Sequence, residues 1–271
     1  MTAVSTTQEL SRKLECMNFQ AEQLQILADI ADALVRPVGG QPESSDPVLG
    51  SVSFWRYFAN VLLVHHATND EKFKKKAFEF AFRNACRAEG FTAAISASQT
   101  NPGADVIVSN TKYSLKTEAD KSISAKYIKI SKLMEARWIR EVAATERRGD
   151  VAKERILGHL EQYDRILTLR AFDVLQHKIR THVRYELWEI PIDKLRLIEN
   201  LTAEDFTLAT KNNTFGAEVS IDKTALSPRV FLLRMDGSVE KITVASLDVN
   251  YCRLHAVWGI PVDPPIPEDD D

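Results

Sequence analysis

Asp105 and Lys116 stand eleven positions apart in the stretch Pro102-Gly103-Ala104-Asp105-Val106-Ile107-Val108, followed by Tyr113-Ser114-Leu115-Lys116-Thr117-Glu118. Ala104–Ser109 reads as a strand, Asn110-Thr111-Lys112 as a turn and Tyr113–Ala119 as the returning strand. Residues two apart in a strand share a face, so Ser114, Lys116 and Glu118 project together and the hairpin can bring Asp105 alongside them. A carboxylate and an ammonium converging at a sheet edge suit metal-assisted phosphodiester hydrolysis. The carboxylate holds a divalent ion that polarises a phosphoryl oxygen and acidifies water, while the ammonium orients or deprotonates that water and offsets developing charge.

Such a pair needs a rigid frame, and the chain has the material for one. Its 271 residues, 44% of them hydrophobic, are enough to bury a sizeable core. Thr7–Val35 reads as a helix, broken by Pro37-Val38-Gly39-Gly40, and Phe54–His66 as a second. Asn69 or Asp70 can cap a third, running to Ala88 and stopped by Gly90. After the hairpin, Tyr127, Ile130, Met134 and Trp138 predict a helix over 124–144, and 150–163 a further one. Strands are expected at 165–172 and 182–191, a short helix after Asp193, and mostly strand over 218–260. The expected architecture is α/β, with a mixed central sheet flanked by helices and an N-terminal helical layer. One domain over 1–262 is expected: a mainly helical layer at 1–90, the catalytic hairpin and helix at 91–145, and the remaining sheet with recognition elements at 146–262. The acidic stretch 263–271 is expected to be disordered.

The hairpin resembles the PD-(D/E)xK nuclease superfamily and, within it, the type II restriction endonucleases. Gly103-Ala104-Asp105-Val106 is the counterpart of the first element and Ser114-Leu115-Lys116 of the second, in the order strand, turn, strand, helix. The resemblance implies a restriction-endonuclease-like fold and a Mg²⁺-dependent, sequence-specific endonuclease that cuts double-stranded DNA and leaves 5′-phosphates. It implies Asp105 as metal ligand, Lys116 as the group acting on water, and the backbone carbonyl of Leu115 as a further ligand. A homodimer reading a symmetric site, and a cognate DNA methyltransferase in the same restriction–modification system, follow from it too. Two other readings stay open: a repair or junction-resolving nuclease of the same superfamily, and a non-catalytic DNA-binding protein with a degenerate nuclease fold.

The sequence departs from the pattern twice. Ala104 replaces the proline, and Ser114 stands where a second acidic residue is usual, similar to family members that recruit the missing carboxylate from elsewhere, commonly the following helix. Glu135 falls on the flank of that expected helix's apolar face, with Lys132 as the alternative ion partner. Glu118 has the right strand face but lies toward the strand end, where a solvated charge is an equal reading. Glu79, on the helix before the hairpin, sits among Lys72, Lys75 and Arg83, which favours an i,i+4 surface pair over a ligand.

For DNA contact the candidates are Lys121 and Lys126 beside the hairpin, and Lys211, Asn212 and Asn213 in a polar loop able to reach base edges. Lys+Arg number 35 against 38 Asp+Glu, so phosphate binding must come from such local clusters and not from net charge. The adjacent His65 and His66 diverge by about 100° on a helix and the other histidines are scattered, which removes a histidine metal pair. No Walker A or GxGxxG segment is present, so ATP-driven restriction and Rossmann chemistry lose support. Three cysteines without CxxC spacing, no apolar run near the roughly 20 residues of a membrane span, and a leading segment unlike a signal peptide give the expectation of a cytoplasmic protein without a membrane partner.

Overall fold

The computed structural model describes residues 3–96, 103–208, 213–222, 224 and 227–262. Its helices are α1 (Ala3–Glu15), α2 (Ala21–Leu34), α3 (Val52–Thr68), α4 (Lys75–Ala88), α5 (Ile139–Val142), α6 (Arg148–Leu160) and α7 (Ile192–Arg196). The strands are β1 (Ala93–Ile95), β2 (Val106–Val108), β3 (Thr111–Glu118), β4 (Tyr127–Glu135), β5 (Arg165–Gln176), β6 (Ile179–Ile190), β7 (Thr207–Leu208), β8 (Thr214–Ser220), β9 (Arg229–Asp236), β10 (Lys241–Asp248) and β11 (Arg253–Pro261).

They form two sheets. The first is mixed, in the order β1-β2-β3-β5-β6-β11, with β3 and β5 parallel and the other neighbours antiparallel. The second, β4-β10-β9-β8-β7, is antiparallel throughout. The α/β, restriction-endonuclease-like expectation holds, although most of the strands after residue 200 enter this second sheet and only β11 returns to the first. One apolar core seats α3 and α4, through Phe54, Phe58, Leu62, Phe78 and Phe82, on Tyr113, Leu115, Leu167, Leu187 and Trp258 of the first sheet. The other gathers Ile156 and Leu160 of α6, Ile166 and Ile190 on the opposite face of that sheet, and the inner face of the second sheet.

Four expectations are corrected. The helix expected over 7–35 is two helices, because the side chain of Gln23 accepts the N–H of Gln20 at 2.9 Å and starts α2 afresh. The helix expected from Asn69 begins at Lys75. Asn69 instead donates back to the His65 carbonyl at 3.1 Å, closing α3, while the Phe73 N–H donates to the buried Tyr185 hydroxyl. Gly90, at φ 88°, ends α4 as expected.

The largest correction concerns 124–144, where a helix was expected. This segment is the strand β4 followed by the single turn of α5. Ile128, Ile130 and Leu133 are buried and Tyr127, Lys129, Ser131 and Lys132 are exposed, a two-residue alternation displaced once where the ladder with β10 shifts register. Pairing with β10 and burial of β-branched side chains override the helical spacing of the apolar residues. The hairpin turn also sits one residue earlier than expected, at Ser109 and Asn110, whose φ values of 43° and 73° give the doubly left-handed turn that tight hairpins favour.

Candidate active site

The hairpin ladder sets Val106 opposite Tyr113, and the N–H of Asp105 donates to the Tyr113 carbonyl at 2.8 Å. Asp105 therefore faces Ser114, and directly opposed residues of an antiparallel pair share a sheet face. The Leu115 N–H donates to Asp105 Oδ2 at 2.6 Å, and the Ser114 hydroxyl reaches the same oxygen at 3.4 Å. Ser114, at the position usually acidic, is buried.

The remaining oxygen of Asp105 is held from the helical layer. Lys75 Nζ lies 2.8 Å from Asp105 Oδ1 and 3.7 Å from Glu79 Oε1, while Lys76 Nζ lies 3.2 Å from Glu79 Oε2. Helical geometry explains the grouping. Phe78, Phe82 and Ala85 anchor α4 on the first core, and the i,i+4 pair Lys75 and Glu79 shares the face turned toward Asp105. The Lys75–Glu79 pair read from the sequence is present, but Glu79 is buried, not a surface residue.

Lys116 is half-buried where β3 meets β4, in a cleft walled by Thr117, Ile130, Ser131 and Leu133 with Lys75 and Lys132 at its rim. Burial and then the Lys75 charge push its pKa down to about 8, and Asp105 opposes the shift. An amine poised there can hold or release a proton near working pH. From behind, α6 brings His159, whose Nε2 pairs with the Leu133 carbonyl at 3.0 Å, and Tyr163 follows it one turn later. Burial and then the Lys116 charge lower the His159 pKa; burial and then Asp105 raise that of Tyr163. Among the described residues the buried hydroxyls of Tyr163 and Thr168 have no hydrogen-bond partner, and Thr168 lies beside Lys116 in the parallel β3–β5 register. The sequence pointed to Lys75 only as an i,i+4 partner of Glu79, not as a partner of Asp105, and nothing local signals Tyr163 or Thr168.

The other candidate residues make contacts of their own. Glu118 shares the strand face but is buried against Arg170, whose Nε donates to it at 2.7 Å. Glu135 is not on a helix: it ends β4, exposed and ion-paired to Lys132 at 2.6 Å. Lys121 lines a groove with Lys72, Ile123, Phe172 and Arg180. Lys126 is exposed just ahead of β4. Asn213 is exposed beside the turn at Gly237, whereas Lys211 and Asn212 lie outside the described residues.

Among the described residues, no three His, Cys, Asp or Glu side chains gather as a complete metal cage. The two carboxylates that do come together, Asp105 and Glu79, share one ammonium between them. Hard oxygen donors already drawn around a cation fit Mg²⁺, which is commonly bound by one or two carboxylates and completes its shell with water and phosphate. No described helix is long and apolar enough to cross a membrane.

No solved structure matches the chain. The chain is 33% identical over 216 residues to the type II restriction enzyme SmaI of Serratia marcescens, a match covering 78% of this chain and 81% of that enzyme. The family model for SmaI, described as a type II site-specific deoxyribonuclease, matches residues 11–260. The chain therefore belongs to the SmaI family of type II site-specific deoxyribonucleases and is a hydrolytic restriction enzyme acting on DNA, not a degenerate binding protein.

Proposed function

We propose that this restriction endonuclease cuts both strands of duplex DNA in a Mg²⁺-dependent reaction that leaves 5′-phosphates, with its chemistry centred on Asp105, Glu79 and Lys116. The observation that carries the reading is the convergence of Asp105 and Glu79 on one cation beside a lysine of lowered pKa. Asp105 and Glu79 would hold the ion, with the Leu115 carbonyl as the further ligand that the family pattern implies. Mg²⁺ bound there supplies polarisation of the phosphoryl oxygen and acidification of a bound water.

The protein's own groups do the rest. The Leu115 N–H and the Ser114 hydroxyl fix Asp105 Oδ2, so the carboxylate need not reorganise as charge develops. Lys116 Nζ orients the attacking water, takes its proton, and in its charged form offsets negative charge on the phosphorus-bound oxygens. Tyr163, held protonated by burial and then by the Asp105 charge, has no partner for its hydroxyl among the described residues and keeps that O–H free to donate. Lys121, Lys126 and Asn213 contact the duplex outside the reacting centre. Two copies of the chain, related by a twofold axis, read a symmetric site, and a methyltransferase of the same specificity protects the host genome.

Digestion of unmethylated phage DNA with Mg²⁺, with a chelator control and sequencing of the ends, tests the proposal. Discrete fragments with 5′-phosphates, abolished by chelator, are expected; an undiminished digest in chelator, or 3′-phosphate ends, would overturn it. Sedimentation of the full chain tests the dimer.

A further inference from the structure

Lys75 acts on neither water nor phosphate in the chemistry above, yet among the described residues its ammonium is the side-chain cation closest to the proposed ligands. Its Nζ is 2.8 Å from Asp105 and 3.7 Å from Glu79, so one monovalent group spans the two carboxylates between which a divalent ion would have to enter. It begins α4, directly after the N-cap position, and its side chain is 45% exposed. The ammonium can therefore leave toward solvent without disturbing the core beneath it. Glu79 keeps Lys76 on its other oxygen when Lys75 departs, and Asp105 keeps the Leu115 N–H, so both carboxylates stay aligned.

Resting on the metal site proposed above, we infer that Lys75 is a built-in counter-ion that occupies the metal position of the DNA-free enzyme and must be displaced for the metal to bind. Two consequences follow from charge alone. Metal affinity of the free enzyme is held down, because each binding event has to break an existing ion pair. A DNA phosphate entering the cleft offers Lys75 another anion, which frees the carboxylates, so DNA and metal strengthen each other's binding by the same factor. Lys75 is in this sense a positioning residue that ties metal loading to the presence of DNA.

Mn²⁺ titration of the DNA-free full chain by calorimetry tests this on the wild type, Lys75→Met, Lys132→Met and Asp105→Asn. Lys75→Met is expected to tighten Mn²⁺ binding by roughly three- to tenfold. Lys132→Met removes a charge from the same cleft that touches neither carboxylate, and is expected to change affinity by less than about twofold. On the wild type, mass spectrometry after brief amine acetylation should show Lys75 becoming more reactive when Mn²⁺ is added. An unchanged or weakened affinity in Lys75→Met, an equal gain in Lys132→Met, or unchanged Lys75 reactivity on metal binding would each overturn the inference. Wild-type binding that Asp105→Asn leaves intact would instead overturn the metal site itself, which separates the two failures.

Discussion

Leu115 and Asp105 are joined across the β2–β3 hairpin by a 2.6 Å hydrogen bond from backbone N–H to carboxylate. The acid is thereby fixed to the residue preceding Lys116, and the two chemical groups move as one rigid piece of the sheet. Asp105→Asn and Lys116→Ala should each lower DNA cleavage by roughly 10²–10⁴-fold while leaving DNA binding in a gel-shift assay intact. Because Lys116 resists its own charge through burial, Lys116→Met should melt at or above the wild-type temperature. Cleavage within a few-fold of wild type in either charge-removing variant would refute the assignment.

Three glutamates compete to be the second carboxylate, and their surroundings separate them. Glu79 is buried and faces Asp105 through Lys75, whereas Glu135 is exposed and bound to Lys132. Glu79→Gln is expected to cost at least about tenfold in cleavage and to raise the Mg²⁺ concentration at half-maximal rate. Glu135→Gln should stay within about twofold, as for a surface pair. The reverse ranking in a Mg²⁺-dependent rate assay would return Glu135 to the site.

Glu118 is committed to structure. Arg170, wholly buried in β5, donates to Glu118 Oε2 and also to the backbone carbonyls of Ser124 and Tyr127, which lead into β4. It thus fastens the second sheet to the first. Burial raises the Glu118 pKa and Arg170 opposes the rise, so removing the arginine strands a carboxylate. Arg170→Met is expected to lower unfolding free energy by about 3–5 kcal/mol in urea titration, and Arg170→Met with Glu118→Gln to recover a large part of it. A double variant no better than the single would show that the loss comes from packing and the carbonyl contacts.

A second buried cluster predicts acid sensitivity. Glu189 takes both Nε and Nη2 of Arg165, at 2.9 and 2.6 Å, and His255 Nε2 at 2.8 Å. Arg165 Nη1 also pairs with Asp46 at 2.9 Å, and Ser44 closes the group on His255 Nδ1 at 2.7 Å. The cluster pins the strap 39–46 to β11. Burial works to raise the Glu189 pKa, but the bonds from His255 and Arg165 outweigh it and bring the value down to about 2. A carboxylate whose folded pKa lies below its unfolded one stabilises the fold above the unfolded pKa of about 4.5, and that contribution fades as pH falls toward 2. The contribution is on the order of 3 kcal/mol. Glu189→Gln should lose it at neutral pH and show a flatter stability profile between pH 4.5 and 2. An unaltered acid limb in chemical denaturation would refute the assignment.

The sequence by itself determined the hairpin and its two chemical residues. Their relationship is local: alternation along β3 and a two-residue turn set Asp105 opposite Ser114, with Lys116 one step along the same face. It also determined the amphipathic α3, α4 and α6 and the strands β5 and β6, whose apolar periods agree with their final surroundings. Tertiary structure decided what depends on partners far along the chain. The segment 127–135 carries apolar residues at helical spacing, and pairing with β10, more than a hundred residues later, makes it a strand and leaves Glu135 exposed at its end, paired to Lys132. Glu79 and Lys75 join Asp105 because the aromatic core beneath α4 fixes that helix's rotation, and Glu118 is withdrawn because Arg170 lies beside it in the parallel β3–β5 register. Spacing within one element fixes which side chains share a face, but only packing between elements decides what that face meets.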